Sequence, residues 1–226
     1  MLRAVIFDFD GVIVDSELLH FRAFNLVTQQ FGIEISKKSY FEDCLGLNDR
    51  EVFQMLVDNN NLTEYKNRAN DLVEQKTILF KELAESEGQI IPGVKEFINM
   101  LAENNIPMAI CSGALEAEII QILNAAKMND FFKTIIAADH VTRGKPDPQG
   151  FLLALAQLNI ILNTDIAPSE SIVIEDSRWG LVAAKAAEMH PVAVTNTYPA
   201  DMLEIAELIT DDLSSLNVAQ LSSLCS

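Results

Sequence analysis

Basic residues are scarce in this sequence. Its 16 lysines and arginines stand against 33 aspartates and glutamates, which gives a formal net charge of −17. Because no basic cluster is present to neutralise phosphate groups, we expect no nucleic acid partner. The same acidity disfavours binding to an anionic membrane surface. A small anionic substrate remains compatible with the sequence wherever a cation offsets the local negative charge.

Long apolar runs are also missing. No stretch reaches the roughly 20 residues that a membrane-spanning helix needs. The first apolar segment is interrupted by Asp8 and Asp10, so it does not resemble the apolar part of a secretory signal. We therefore expect a cytoplasmic protein with no membrane partner. Its 226 residues, 49% of them hydrophobic, are enough for one or two domains with a sizeable core.

Cysteine is the third scarce residue type. The chain has only Cys44, Cys111 and Cys225, an odd number at wide spacings. This pattern predicts reduced thiols rather than a disulfide framework, and the spacing is not that of a zinc site. Cys111 precedes a motif serine, but cysteine is among the residues most often buried, so we predict a buried strand residue there.

Apolar strands alternate with helical segments over most of the chain. A first strand is predicted over residues 2–8, and further strands at 107–111, 134–138, 171–175 and 191–194. Helices are predicted between them at 94–103, 115–126, 148–158 and 180–189, with a last one over 211–226. Strands separated by helices predict an α/β fold, a doubly wound, Rossmann-like parallel sheet with helices on both faces.

The segment from residue 17 to about residue 87 shows only helical periodicity. An apolar stripe leading towards Gly32 predicts a first helix, residues 48–51 resemble a capping box that opens a second, and Thr63 could cap a long third helix. Such a block can form a small helical bundle of its own. We therefore predict a catalytic core of residues 1–15 and 89–226 with an inserted all-α cap domain, residues 16–88.

Two aspartates follow the first predicted strand. Asp8 and Asp10 are two residues apart, so they point to the same side of an extended chain, and Gly11 then allows a sharp turn. Open α/β sheets bind their ligands at the carboxyl ends of the strands. Two like charges this close repel each other, and a divalent cation commonly offsets them. Alone, such a pair is more often a turn or a helix cap.

Three later segments also place polar side chains near the ends of strands. Ser112 and Gly113 offer a hydroxyl and backbone N–H groups that suit a phosphate, although this serine could simply cap a helix. Lys145 precedes a proline in a rigid loop and could neutralise a phosphoryl group, or it could be an ordinary solvated lysine. Glu175 and Asp176 end another strand. We favour Asp176 as a metal ligand with Glu175 close by, although Asp176 could instead cap the next helix.

Together these segments resemble the four motifs of the haloacid dehalogenase superfamily of phosphotransferases. The matching residues are Asp8-x-Asp10, Ser112, Lys145-Pro146 and Glu175-Asp176. The helical segment between the first two motifs resembles that family's small α-helical cap. The resemblance covers essentially the whole chain. It is strongest for the branch that holds β-phosphoglucomutase and small sugar-phosphate phosphatases, notably over residues 7–13 and 20–23.

The resemblance implies a mechanism and a cofactor. Asp8 would attack phosphorus to form an aspartyl-phosphate, and Asp10 would protonate the leaving alkoxide and then deprotonate the attacking water. The phosphoryl oxygens would be held by Ser112, Gly113 and Lys145. Mg²⁺ would bind at Asp8, the backbone carbonyl of Asp10 and Asp176, and Glu175 is also expected among the metal-site residues.

The resemblance also implies a substrate class, a small phosphorylated metabolite of the sugar-phosphate or phosphoglycolate type. The helical cap would select it. The cap residues expected to bind it are His20, Gly46, Arg50 and Lys76. We expect a phosphatase, a phosphoric monoester hydrolase, that acts as a monomer.

Two alternatives remain at this point. A β-phosphoglucomutase-like phosphomutase must grip a second phosphate, and the mutase pattern has a Ser-Lys pair where this chain has Ala114 and Leu115, and a lysine where it has Leu45. These departures favour the phosphatase. A receiver-type signalling module also uses a phosphorylated aspartate, but it has no helical insert and its aspartate lies on a later strand.

Overall fold

A computed structural model describes residues 1–44, 47–60, 62, 65, 68–87 and 90–225, with the backbone alone at residues 41, 42 and 85–87. The chain divides into two compact units. The sheet unit comprises Met1–Asp15 and Gln89–Ser226, and the helical unit comprises Ser16–Gly88. The functions predicted for them, a catalytic core and a substrate-selecting cap, stay predictions.

The sheet unit contains a six-stranded sheet within the described part of the chain. Its strands are β1 (Ala4–Phe7), β2 (Met108–Cys111), β3 (Phe132–Ile136), β4 (Ser171–Glu175), β5 (His190–Val194) and β6 (Leu208–Thr210). Their order is β3-β2-β1-β4-β5-β6, and every neighbouring pair is parallel. The residues of β1, β2 and β4 are all buried, as expected for a parallel sheet covered on both faces.

The helical unit is formed by α1 (Ser16–Thr28), α2 (Lys37–Ser39), α3 (Asp49–Asn59) and α4 (Ala69–Glu87). After α1 a short 3-10 turn leads to Gly32, whose φ of 71° is left-handed and therefore suits glycine. The predicted capping box is present: the Asn48 side chain accepts a hydrogen bond from the Glu51 N–H, and Glu51 accepts one from the Asn48 N–H. A cluster of aromatic and aliphatic side chains, including Phe24 and Phe53, fills the interior of this unit.

The sheet unit adds α5 (Val94–Glu103), α6 (Glu116–Ala125), α7 (Gln149–Leu162), α8 (Arg178–Ala186) and α9 (Val218–Leu224). On one face of the sheet, Ile6 belongs to a buried cluster with Phe151 of α7. The next residue, Phe7, points to the other face and contacts the edge of Phe97 of α5 at 5.9 Å between ring centroids. Among the described residues, none of the helices is long and apolar enough to cross a membrane.

The predicted doubly wound parallel sheet is confirmed, and several element boundaries differ from prediction. The helix predicted over residues 148–158 continues to Leu162, where Asn163 ends it with a left-handed φ of 52°. The strand predicted at 134–138 begins at Phe132, and the helix predicted from residue 180 begins at Arg178. The long helix has its first residue at Ala69, whereas Thr63 lies outside the described residues.

The single terminal helix predicted over residues 211–226 is wrong. Strand β6 precedes this segment, a 3-10 turn follows at Leu213–Ser215, and α9 begins only after Asn217. The Asp212 and Asn217 side chains each accept a hydrogen bond from a backbone N–H, so each starts a separate short helix. The three residues of β6 are all half-buried, which leaves no period-two pattern to recognise.

The strand order places the functional residues. Connections from β1 lead to β2 on one side of the sheet, while β4 pairs with the other side of β1. The direction of strand order therefore reverses at β1, and open α/β sheets bind ligands at such a reversal, beyond the carboxyl ends of the strands. Asp8 follows β1 directly, and Glu175 is the last residue of β4.

Candidate active site

The loop after β1 carries both aspartates of the first motif. The Asp8 N–H donates to the Ile174 carbonyl at 2.9 Å, which extends the pairing with β4 and fixes the backbone of Asp8. Gly11 has a φ of +73°, and a Cβ built there would overlap the Asp176 carboxylate. Glycine is thus required for both the turn and the close approach. Asp8 is buried, whereas Asp10 is half-buried.

Ser112 lies at the carboxyl end of β2. Its hydroxyl is 3.4 Å from the Asp10 carboxylate and accepts a hydrogen bond from the Ala114 N–H at 3.0 Å. Helix α6 begins at Glu116 after Leu115, which gives no side-chain cap. The interpretation of Ser112 as a helix cap is therefore wrong, and its hydroxyl is directed towards the first motif.

Lys145 lies between two carboxylates. Its Nζ is 2.8 Å from Asp8 and 2.5 Å from Glu175, and it is 5.2 Å from the centre of the Phe151 ring. The peptide bond between Lys145 and Pro146 is cis. Burial alone would lower the pKa of Lys145, but the adjacent carboxylates raise it above its usual value, so the side chain is charged. The alternative of a solvated loop lysine is therefore wrong.

Glu175 and Asp176 have different environments. The Glu175 carboxylate is fully buried; one oxygen accepts from Lys145, and the other accepts from the N–H groups of Asp176 and Ser177 at 3.0 and 2.9 Å and from the Ser177 hydroxyl. A Cβ at Gly180 would overlap this carboxylate, so α8 can approach only with glycine there. The cap of α8 is Ser177, so the interpretation of Asp176 as that cap is wrong.

The acidic groups outnumber the basic ones at this site. Oxygens of Asp8, Glu175 and Asp176 lie within 4.8 Å of one another. Burial raises the pKa of Asp8 well above its ordinary value, with Lys145 acting in the opposite direction. Burial, and then the Glu175 charge, raises the pKa of Asp176 to about 7. Clustered buried carboxylate oxygens that are costly to ionise together are the donor set that suits a hard divalent cation.

Most of the predicted sheet-unit residues surround one cavity of about 610 Å³. Its lining includes Asp8, Asp10, Ser112, Gly113 and Lys145. Residues from separate strand ends, far apart in the sequence, thus share one space. The lining also includes Arg143, Ser177 and Trp179, which no sequence motif predicted.

Two polar residues after β5 also support the site. The Asn196 amide donates to the Gly11 carbonyl at 2.7 Å, and a side-chain hydrogen bond from Thr197 to Asp176 opposes the rise of that carboxyl's pKa. The signal that could have found them is the polar run Thr195–Thr197 directly after a predicted strand, because its carboxyl end lies at the same edge of the sheet.

Two of the residues predicted in the helical unit, His20 and Lys76, form a buried contact. The Lys76 ammonium lies 2.5 Å from Nδ1 of His20 and donates to both carboxylate oxygens of Asp49, at 2.8 and 2.9 Å. Burial, and then the Lys76 charge, lower the pKa of His20 to about 3. Arg50 is exposed, and Gly46 lies outside the described residues. Asp49 was not selected from the sequence as a partner of Lys76.

Comparisons with known proteins find similar sequences and structures. The chain is 32% identical to a phosphorylated carbohydrates phosphatase of Thermotoga maritima over 194 residues, 82% of each chain. It is 29% identical to a β-phosphoglucomutase of Bacillus subtilis over 94% of this chain and 92% of the relative. The crystal structure of a β-phosphoglucomutase from Clostridium difficile matches with a TM-score of 0.75 and 27% identity, covering 100% of this chain and 97% of the other.

The family is shown by a match over most of the chain. The sequence model of haloacid dehalogenase-like hydrolases matches residues 5–194, a span that runs from β1 to the end of β5. It therefore includes every site residue described above apart from Asn196 and Thr197. The chain belongs to the haloacid dehalogenase-like hydrolase family.

Proposed function

We propose that this protein is a phosphatase that hydrolyses small phosphorylated carbohydrates through an aspartyl-phosphate on Asp8. The observation that carries the proposal is the arrangement of four groups on one cavity. Asp8 is held 2.8 Å from the Lys145 ammonium, and the second acid, Asp10, lies 3.4 Å from the Ser112 hydroxyl. A nucleophile, an acid–base group and two phosphoryl-binding groups are what phosphoryl transfer requires.

Each of the two steps uses both aspartates. In the first, an Asp8 carboxylate oxygen bonds to phosphorus, the bond from phosphorus to the leaving oxygen breaks, and the Asp10 carboxyl donates its proton to that oxygen. In the second, the Asp10 carboxylate takes a proton from water, the water oxygen bonds to phosphorus, and the bond to Asp8 breaks. Inorganic phosphate is released, and both aspartates return to their starting states.

Lys145 and Ser112 position the phosphoryl group. An ammonium has three N–H donors, and among the described residues the Asp8 and Glu175 carboxylates take two of them. We propose that the third donates to a phosphoryl oxygen. The Ser112 hydroxyl shifts from Asp10 to a second phosphoryl oxygen when substrate binds. Positioning and charge supply most of the catalysis in phosphoryl transfer.

The acidic cluster fits Mg²⁺, which prefers oxygen ligands. We propose that Asp8, Asp176 and the backbone carbonyl of Asp10 hold it. Both Glu175 oxygens already accept hydrogen bonds, so we assign Glu175 to orienting Lys145 and the backbone of Asp176 and Ser177. When bound, Mg²⁺ supplies positive charge that keeps the carboxylates ionised and offsets the charge of the phosphoryl oxygens.

A phosphomutase is the second candidate, because relatives that match nearly the whole chain are named β-phosphoglucomutase. A mutase must bind a second phosphate, yet Ala114 and Leu115 have no side-chain donors for one. The buried cation of the helical unit, Lys76, is already neutralised by Asp49. These observations favour the phosphatase, and the family assignment excludes the receiver module. We further propose a cytoplasmic monomer.

Hydrolysis of p-nitrophenyl phosphate with and without Mg²⁺ tests the proposal. We expect turnover that requires the ion and that Asp8→Asn abolishes while the thermal unfolding midpoint stays close to wild type. Asp211→Asn makes the same chemical change at an exposed position and should leave turnover unchanged. Full activity in Asp8→Asn would refute the nucleophile. Glucose 6-phosphate as the main product from β-glucose 1-phosphate, instead of free phosphate, would establish the mutase.

A further inference from the structure

The only tryptophan of the chain lines the catalytic cavity. Trp179 is the second residue of α8, and its side chain is 61% exposed although it shares the cavity with Asp8 and Asp10. Tryptophan usually buries a large part of its surface when a protein folds. An indole left open in the wall of a catalytic cavity therefore offers a contact surface to whatever enters that cavity.

The position of Trp179 is fixed by its neighbours in the chain. Ser177 caps α8 by accepting a hydrogen bond from the Gly180 N–H at 3.1 Å, and the Ser177 hydroxyl donates to Glu175. Gly180 lies against the same Glu175 carboxylate. The first turn of α8, with Trp179 between these two residues, is thus tied to the acid that holds Lys145. Binding groups on such rigid elements keep their geometry better than groups on loops.

The cavity combines two kinds of surface. Asp8, Asp10, Ser112 and Lys145 provide the charged and hydroxyl groups that deal with a phosphoryl group. Other side chains of the lining are apolar: Ile136, Ala138, Val141, Phe151 and Trp179. A cavity of about 610 Å³ is large enough for a leaving group as well as the phosphoryl group.

The chemistry of the indole selects among leaving groups. Its face is apolar and electron-rich, so it attracts the weakly positive C–H groups on the face of a cyclic sugar. The same face repels a carboxylate. A short phosphorylated acid of two or three carbons would gain nothing from it.

Resting on the phosphatase function proposed above, we propose that Trp179 stacks on the C–H face of a cyclic leaving group. This residue makes the enzyme prefer phosphorylated cyclic carbohydrates to short phosphorylated acids. It binds the part of the substrate that does not react, so it acts as a specificity residue and takes no proton. The predicted consequence is a binding signal from Trp179 itself.

Fluorescence measures this contact directly, because Trp179 is the only tryptophan. The Asp8→Asn variant with Mg²⁺ is titrated with glucose 6-phosphate, glucose 1-phosphate, phosphoglycolate or inorganic phosphate, and quenching by acrylamide is measured. We expect at least one glucose phosphate to lower the quenching constant at least twofold, and phosphate and phosphoglycolate to leave it unchanged. The stacking would be overturned if inorganic phosphate protected Trp179 from acrylamide as well as a glucose phosphate does. It would also be overturned if raising the protein concentration without ligand gave the same protection, because another protein molecule would then cover the indole.

Kinetics provide the second readout. We expect Trp179→Ala to lower the ratio of kcat/KM for the preferred glucose phosphate to kcat/KM for phosphoglycolate roughly tenfold, mainly through KM. Trp179→Phe retains an aromatic face and should keep most of the ratio. Ile160→Ala, at a 79% exposed position of α7 outside the cavity lining, should not change it.

The outcomes separate this inference from the proposed function. If wild type hydrolyses p-nitrophenyl phosphate through Asp8 but prefers phosphoglycolate, or accepts neither glucose phosphate, only the assignment of Trp179 fails. An unchanged ratio in Trp179→Ala has the same meaning. If no phosphomonoester is hydrolysed with Mg²⁺, the phosphatase proposal itself fails.

Discussion

Each unit holds a lysine away from solvent, but the two lysines have different partners. In the sheet unit, Lys145 lies between the carboxylates of Asp8 and Glu175. In the helical unit, Lys76 contacts the carboxylate of Asp49 and the ring of His20. The side chain of Lys76 is 3% exposed and that of Lys145 is 17% exposed, so burial alone does not distinguish them.

The balance of charge distinguishes them. In the described part of the chain, the Lys76 ammonium contacts the carboxylate of Asp49, and the low pKa of His20 keeps that ring neutral. The Lys145 ammonium contacts the carboxylates of Asp8 and Glu175, and the Asp176 carboxylate is clustered with these two. Among the described residues, the sheet-unit group thus has more carboxylates than ammonium groups, which favours the binding of a cation and a reacting phosphoryl group. Such unbalanced, buried groups are typical of catalytic sites.

The largest effect is expected from removing the ammonium of the unbalanced group. We predict that Lys145→Met lowers kcat by about 10³-fold or more, since loss of a positive charge on the phosphoryl group is that costly in phosphoryl transfer. The measurement is steady-state hydrolysis of p-nitrophenyl phosphate at saturating Mg²⁺. Circular dichroism and the thermal unfolding midpoint, taken with Mg²⁺, check that the variant is folded.

Lys95→Met serves as the matched control. It removes the same charge from an exposed position in the first turn of α5 and should leave kcat within twofold of wild type. If folded Lys145→Met lost less than tenfold in kcat, the ammonium would have only a structural role. The contrast with Lys76 would then disappear.

The surroundings of the two lysines also show which contacts could be predicted from the sequence and which could not. Asp8, Ser112 and Glu175 could be assigned to one site because each lies at a strand end, and parallel strands bring those ends to a common edge. The same rule could have pointed to Thr197 after β5. Glu175 directs one oxygen to Lys145, and α8 approaches the same carboxylate at Gly180. No local sequence pattern encodes this approach of the helix.

The contact between His20, Lys76 and Asp49 could not be predicted in this way. Lys76 is 56 residues from His20 and 27 from Asp49 in the sequence, and the three lie on different helices. Helical periodicity shows which face of a helix is apolar, but it does not fix how helices pack against each other. The capping box at Asn48 was predicted because all of its hydrogen bonds lie within four consecutive residues.

The buried contact of His20 with Lys76 predicts that the free energy of unfolding changes with pH, and this effect is of intermediate size. The pKa of His20 is about 3 in the folded protein and 6.5 ordinarily, so the unfolded chain binds the extra proton first as the pH falls. The contribution of neutral His20 to stability is therefore complete above pH 6.5 and is lost progressively below it. Between pH 6.5 and 5, we expect wild type to lose up to about 2 kcal/mol more unfolding free energy than His20→Asn, measured with urea.

Comparing wild type with His20→Asn at each pH cancels the pH-dependent contribution of the acids in the sheet unit to stability, because both proteins contain those acids. An NMR titration supplies the check on mechanism. In Lys76→Met the pKa of His20 should rise, because the nearby positive charge is gone, but it should stay below 6.5, because burial is the larger cause of the shift. Parallel stability curves for wild type and His20→Asn would show that this ring is not held neutral.

The smallest effect is expected for an exposed ion pair of the same helical unit. Arg68 and Asp71 lie 3.0 Å apart with side chains 51% and 57% exposed, whereas Asp49 pairs with the buried Lys76. Both aspartates lie in the first turn of their helices. The same Asp-to-Asn change therefore removes a similar favourable interaction with the helix dipole in each case. We predict a loss of at most about 0.5 kcal/mol for Asp71→Asn and of about 1–2 kcal/mol for Asp49→Asn in urea unfolding at pH 7.5. Solvent screens the first pair, whereas Asp49→Asn removes a negative charge that lies 2.8 Å from a buried ammonium. Equal losses would mean that Lys76 is solvated in solution, and the charge balance of the helical unit would then not depend on Asp49.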